Sequence, residues 1–201
     1  MKRAFGFGLA ILLSVVGITP VCANLLSDPG FENCSAGLSP PNWSVTNAGS
    51  ATGAWVCGQN PHSGLWSADQ PKGASTLSQT IPTTPGAAYD FSFWLKNGVN
   101  GAPNSFAASF DGNQVLVLSD RSNFNYTFED FKVTASGSST TISFSALNDG
   151  FPAGDWSLDD VSVTPVPAPP IGRGLPVLLA AGGLLFGAKL FERGKHKLQF
   201  G

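Results

Sequence analysis

Tyr89-Asp90-Phe91-Ser92-Phe93-Trp94-Leu95 is the stretch on which the fold turns. Large apolar side chains stand at every second position, Tyr89, Phe91, Phe93 and Leu95, with Asp90, Ser92 and Trp94 between them. Successive side chains of a strand point to opposite faces, so one face of this segment is built for a core and the other for an outer surface. Trp94 is the large ring on that outer side. Residues 24–164 show no competing helical period.

The same reading extends in both directions. Short β-rich runs are separated by clusters of Gly, Pro, Asn and Asp, and the spacing predicts strands over 43–46, 54–57, 65–68, 76–81, 88–96, 105–110, 114–118, 126–135, 140–147 and 155–164. Phe128 and Val133 break simple alternation around Asp130, which predicts a bulge there. Asp111-Gly112-Asn113 tolerates positive φ and marks a hairpin turn. About ten strands at this spacing make an all-β protein, an antiparallel two-sheet β-sandwich, with no internal repeat and no second domain.

Composition narrows the function. Charged residues are only 12% of the 201, and the formal net charge is −2; typical soluble proteins carry roughly 25% charged residues. Lys and Arg concentrate at the two ends, so there is no basic field to attract a nucleic acid. Cys34 and Cys57 are the two cysteines expected in the mature chain, and an even count in an exported protein predicts a disulfide between them. Zinc has too few ligands, since His62 is the one histidine in this region and no CxxC occurs.

The ends read as addresses. Residues 1–23 carry Lys2 and Arg3, an apolar run from Ala4 to Ile18 and a small residue at Ala23, the pattern of a signal peptide. Residues 24–164 form the expected globular domain and 165–173 a proline-rich linker. Residues 174–190 are an apolar segment read as a transmembrane helix, and 191–201 a basic tail held on the cytoplasmic side. The apolar run is about 15 residues, or roughly 22 Å as a helix, which Lys189 and Arg193 lengthen by snorkelling. The protein is expected to be exported and then anchored in the membrane or released to the cell surface.

Two resemblances sharpen these expectations. Hinge, apolar run and basic cluster resemble the sorting signal of PEP-CTERM proteins, which implies bacterial surface sorting with an exosortase as processing partner. Here Pro167-Ala168-Pro169 replaces the motif's Pro-Glu-Pro. The domain itself opens Asn24-Leu-Leu-Ser-Asp-Pro-Gly-Phe-Glu-Asn33 and closes Trp156-Ser-Leu-Asp-Asp-Val-Ser-Val163. That pairing, with the central Ser78 to Leu95 stretch, resembles the galactose-binding-like jelly roll of carbohydrate-binding modules. The resemblance implies a polysaccharide partner, and a structural calcium ion where the first and last strands meet, on Glu32 and Asp159. Asp159 shares period-2 parity with Val161 and Val163, so it is expected to point inward and Asp160 outward.

Sugar recognition needs a flat aromatic face with amides beside it. Trp94 is the candidate platform, with Asn97, Asn104 and Asn148 as candidate ligand amides; Trp43 and Trp156 are read as core. Catalysis has little to work with. Ser63 lies too close to His62 along the chain to imply a triad, and neither G-x-S-x-G nor H-E-x-x-H occurs. Asp69, Glu129 and Asp155 are the carboxylates that only folding could bring together. The expected function is non-catalytic: a glycan-binding module of the cell envelope or extracellular polysaccharide, or else a structural matrix or adhesion protein with no specific sugar ligand.

Overall fold

The computed structural model describes residues 22–47, 53–149 and 154–167. The expected signal peptide up to residue 21, the apolar segment, the basic tail, and Ala168 and Pro169 of the sorting motif lie outside these residues. Among the described residues there is no helix. Ten strands follow in order: β1 (Ser44–Asn47), β2 (Val56–Gly58), β3 (Ser67–Gln70), β4 (Gly73–Pro82), β5 (Ala88–Asn97), β6 (Asn104–Phe110), β7 (Asn113–Ser119), β8 (Phe124–Thr134), β9 (Ser139–Asn148) and β10 (Trp156–Pro165). Each overlaps a run expected from the sequence, β2 and β3 by two residues only. They pair antiparallel into two five-stranded sheets, β1-β4-β9-β6-β7 and β2-β3-β10-β5-β8.

The core lies between the sheets and is mostly aromatic. Phe91, Phe93 and Leu95 of β5 are fully buried, as the alternation requires. They meet Phe106, Phe110 and Phe144 of the first sheet, with Phe93 and Phe144 edge to face at 5.1 Å. Rings of this size contribute about 2–3 kcal/mol each on burial, plus about 1 kcal/mol for such a pair. Trp43, Trp55 and Trp156 are also buried. Cys34 and Cys57 form a disulfide that pins the opening segment to β2, and a structural disulfide belongs to an oxidising compartment.

Three local expectations are corrected. β8 pairs with β5 in unbroken register from Thr127 to Thr134, so no bulge lies at Asp130; the shift falls between Leu95 and Asn97, opposite 124–127. Phe128 interrupts the pattern because it is an aromatic side chain on the outer face. The second correction is in β10. Asp159 pairs with Trp94, and the register then shifts before Ser162. Asp160, at φ 47°, takes up the extra residue. The bulge reverses parity, so Asp159 lies on Trp94's side of the sheet, while Val161 and Val163 return to the core. The third concerns the linker: β10 continues to Pro165, which pairs with Tyr89, and the Val166 N–H donates to the Ala88 carbonyl. Pro needs no donor at a strand's last position.

Candidate functional site

The outer face of the second sheet carries most of the unusual chemistry, and a single turn organises it. Residues 60–66, Asn-Pro-His-Ser-Gly-Leu-Trp, fold over the corner where the opening segment meets β10. The turn's backbone N–H groups bind carboxylates from both ends of the domain. His62 and Ser63 donate to Asp159 Oδ2 at 2.8 and 3.1 Å. Leu65 donates to Glu32 Oε1 at 2.9 Å, and Trp66 to the same oxygen at 3.3 Å. Side chains complete the clasp. His62 Nδ1 lies 2.8 Å from Asp160 Oδ2, and the Ser63 hydroxyl donates to Asp160 Oδ1 at 2.8 Å.

Gly64 is required at the centre of this turn. Its φ is +68°, and a Cβ there would stand 2.0 Å from Glu32 Oε1. The opening loop is less crowded: a Cβ on Gly30 would lie in ordinary van der Waals contact, 3.6 Å from Asp160 Oδ1 and 4.0 Å from Asp159 Oδ1. The folding of two distant loops and a bulge thus brings three carboxylates to one corner.

Asp159 is the buried member. Its side chain is covered by the turn, and burial pushes its carboxyl up to about 6 even though three backbone N–H groups favour the charged form. The neighbouring Asp160 charge pushes in the same direction as burial.

Glu32 and Asp159 therefore share one corner, as the resemblance implies, but their oxygens are turned onto amides. Both oxygens of Asp159 are hydrogen-bonded, Oδ1 by the Asp160 N–H at 2.8 Å. Calcium asks for six to eight oxygens around a common centre. Among the described residues no group of three or more His, Cys, Asp or Glu side chains is placed to hold a metal ion. The Glu32 and Asp159 carboxylates are bound by an amide clasp. One buried carboxylate oxygen nearby in sequence, Asp28 Oδ2, has no hydrogen-bond partner.

Beside the clasp lies an aromatic patch. Trp94 on β5 is half-buried and flanked in register by Asp159 and Phe128. The His62 imidazole stacks on its ring at 3.8 Å and 13°. Phe128 packs at 5.3 Å from Trp94 and is 55% exposed, among the most exposed large apolar side chains described. Tyr126 meets His62 edge-on, its hydroxyl donates to the Asn60 carbonyl, and Lys96 Nζ lies 5.9 Å from its ring centroid. Burial, followed by the charges of Asp159 and Asp69, holds the Tyr126 phenol above its ordinary range. Trp94 is thus a supporting ring with one face covered by imidazole, and Phe128 is the ring that solvent reaches.

The three candidate amides have other work. Asn97, Asn104 and Asn148 are 1–2% exposed. Asn97 Nδ2 donates to the Arg121 and Ser122 carbonyls and its Oδ1 accepts from Val99 N–H. Asn104 Nδ2 donates to the Gly101 and Arg121 carbonyls. Asn148 Nδ2 donates to the carbonyls of Gln70, Pro71 and Gly154. They lie at the ends of strands and hold loops, because a buried loop carbonyl must find a donor. None is available to a ligand.

The residues that matter here and that pattern reading passed over are His62, Tyr126 and Phe128. Phe128 did leave a trace as the break in the alternation of β8. Of the carboxylates left for folding to join, Asp69 and Asp155 come near each other. The Asp155 carboxyl is raised by burial and then by the Asp69 charge, against the pull of Lys96. Glu129 is raised by burial alone. Asp69 is buried and accepts from Asn60 Nδ2 and the Ser67 hydroxyl, both at 2.8 Å.

No protein-family model and no curated protein matches this sequence. Solved structures do resemble it in fold. One is a carbohydrate-binding module, TmCBM61, solved with beta-1,4-galactotriose: TM-score 0.51 and 21% identity, covering 72% of this chain and 99% of that one. Another is the K3 cleaved adhesin domain of Lys-gingipain from Porphyromonas gingivalis, at TM-score 0.56 and 14% identity, covering 71% and 99%. A third is the enzymatically active domain of tailspike protein 4 from bacteriophage CBA120, at TM-score 0.52 and 19% identity; the match spans 71% of this chain but only 21% of that one. The domain has the jelly-roll sandwich of carbohydrate-binding and adhesin modules.

Proposed function

We propose that the domain is a non-catalytic glycan-binding module, with the aromatic patch on the outer face of the second sheet as its contact surface. The observation that supports this is Phe128, a ring 55% exposed on a regular strand, backed by Trp94. A pyranose lays its apolar face on such a ring, and carboxylate and hydroxyl groups beside it take the sugar hydroxyls. Asp130 and Ser92, paired across β8 and β5, stand two residues along each strand from Phe128 and Trp94, on the same face. The ring is held from behind, so little side-chain freedom is lost on binding.

In this proposal the chain is exported by its N-terminal signal, sorted to the surface by the C-terminal segment and processed by an exosortase-type enzyme, or anchored in the membrane when left uncut. The clasp formed by residues 60–66 joins the first and last segments. A second reading, a structural matrix or adhesion domain with no specific sugar, is favoured by the imidazole that covers one face of Trp94 and leaves a small platform.

A glycan array probed with the domain decides between them. The expected result is retention on a limited set of glycans, with Phe128→Ala weakening binding at least tenfold and leaving thermal stability within about 0.5 kcal/mol, as for other exposed sites. Equal binding by Phe128→Ala removes the patch from the reading. A domain that binds no glycan leaves the matrix role.

A further inference from the structure

We propose that Asn100 is a built modification site: in the folded protein its side chain deamidates through the Gly101 nitrogen, while the neighbouring pair Asn97-Gly98 is locked against the same reaction. The proposal stands independently of the glycan reading. The stretch Asn97-Gly98-Val99-Asn100-Gly101 holds both Asn-Gly pairs of the chain. A glycine has no Cβ to crowd its own nitrogen, so that nitrogen reaches the preceding side-chain carbon more readily than it would in any other residue. Whether the pair reacts then depends on whether the fold lets the two groups meet.

The fold treats the two pairs in opposite ways. Asn97 ends β5 and is 1% exposed. Its Nδ2 donates to the Arg121 and Ser122 carbonyls and its Oδ1 accepts from the Val99 N–H. The attacking group is committed too, since the Gly98 N–H donates to the Asp155 carbonyl at 2.8 Å. Ring closure there would have to break all of these bonds in a buried place. Asn100 lies beyond the strand, in the loop 98–103, and is exposed. Among the described residues nothing hydrogen-bonds its side chain or the Gly101 N–H.

The chemistry needs only water. The Gly101 nitrogen gives up its proton to water or hydroxide and attacks Asn100 Cγ. A bond forms between that nitrogen and Cγ, the Cγ–Nδ2 bond breaks, and Nδ2 takes up a proton and leaves as ammonia, closing a cyclic imide. Water then opens the ring at one carbonyl or the other. One opening leaves an aspartate; the other leaves an isoaspartate, whose main chain runs through Cβ and Cγ and is longer by a methylene. The Gly101 carbonyl is held by Asn104 Nδ2 at 2.8 Å, and the same nitrogen holds the Arg121 carbonyl at 3.1 Å. The longer chain shifts the Gly101 carbonyl off that shared donor, so the modification loosens the loop at 120–123.

Both sheets, the disulfide and the whole described core lie within the unit ending at Val166, so residues 24–166 are suited to measurement as an isolated domain. The domain is aged in warm, mildly alkaline buffer, digested, and its peptides separated and weighed. Aspartyl and isoaspartyl products should build up at position 100 at least tenfold faster than at position 97. In denaturant, with the disulfide reduced, the two positions should convert at similar rates. Gly101→Ala should slow conversion at position 100 at least tenfold, and Asn100→Gln should remove it, both without a change in melting temperature. Amide exchange at 120–123 should be faster in aged than in fresh domain, and the same in aged and fresh Asn100→Gln. Asn97 converting as fast as Asn100 in the folded domain overturns the proposal. So does an Asn100 that stays intact while the denatured chain converts, or a preference for Asn100 that persists in denaturant, which would belong to the sequence and not to the fold. Conversion with unchanged exchange at 120–123 overturns the loosening of that loop.

Discussion

The two outer faces of the sandwich are built on opposite principles. The first sheet's outer face is a field of hydroxyls in register: Ser44, Ser78, Ser143 and Ser109 form one row, and Thr46, Thr76 and Ser145 the next. These side chains bond to their cross-strand neighbours, as in Thr76–Ser145 and Thr80–Thr141, both at 2.8 Å. The second sheet's outer face is held from outside. A turn at 60–66 reaches carboxylates on β10 almost a hundred positions away in sequence and lays an imidazole on Trp94. One face is stabilised by many small local terms. The other depends on a few long-range ones, and disturbing any of them should be costly.

The largest expected effect therefore comes from the clasp. Asp159→Ala leaves the N–H groups of His62, Ser63 and Asp160 without acceptors beside a small void, and unsatisfied buried donors cost about 1–3 kcal/mol each before relaxation. A net loss of about 3 kcal/mol should lower the melting temperature by about 10 °C. Ser143→Ala on the hydroxyl face should change it by no more than about 2 °C. Thermal denaturation of the two variants side by side breaks the comparison if the losses are alike. A chelator should leave the wild-type melting temperature unchanged; a fall of several degrees in protein known to hold calcium would show that an ion shares the corner.

Acidity separates the faces next. The Asp159 carboxyl sits at about 6 in the folded protein, above its ordinary 3.8. The folded state thus holds this proton more tightly than the unfolded chain. Its contribution to stability is full below about pH 4 and is lost as pH rises through about 6, by at most about 3 kcal/mol. Denaturant titrations between pH 4 and 7 should show this decline, and Asp159→Asn should flatten it. An unchanged slope in Asp159→Asn would assign the pH dependence to other groups.

Gly64→Ala ranks third. The substitution places a Cβ at φ +68° and forces Glu32 away from the Leu65 and Trp66 N–H groups. Strain at a left-handed position costs about 1–2 kcal/mol, with part of the Glu32 bonding added. Glu32→Gln, which keeps an acceptor oxygen, should lose less than Gly64→Ala in the same melt. The reverse order would mean that charge rather than turn geometry holds the opening segment.

This contrast also explains what could be read from residues alone. The ten strands, the hairpin at Asp111-Gly112 and the Cys34–Cys57 pairing were legible because period-2 alternation, turn chemistry and cysteine parity are local or nearly so. Period-2 parity puts Asp159 on the wrong face because its side depends on a bulge, and Asp160 at positive φ carries no sequence mark of its own. Asn97, Asn104 and Asn148 looked like ligand amides because a loop carbonyl that needs a donor cannot be seen in a sequence. His62 looked inert until the fold set Trp94 beneath it and Asp160 beside it. Local rules describe the hydroxyl face and the core; the clasp exists only in three dimensions.

The smallest expected effect tests whether the hydroxyl face is as local as it looks. Thr80 and Thr141 sit directly opposite each other on β4 and β9, with their hydroxyls 2.8 Å apart. Both are exposed, so water competes for each hydroxyl, and a cross-strand pair of this kind contributes about 0.2–1 kcal/mol. Thr80→Val and Thr141→Val keep the β-branched shape and remove only the hydrogen bond. A double-mutant cycle with the two valines should give a coupling of about 0.5 kcal/mol, and each single variant should melt within about 2 °C of wild type. The same cycle on Ser63→Ala and Asp160→Ala should give a larger coupling, because that pair closes a corner joining distant parts of the chain. Equal couplings would mean that the clasp is no more than another surface pair, and the division of the molecule into a locally built face and a remotely held one would fail.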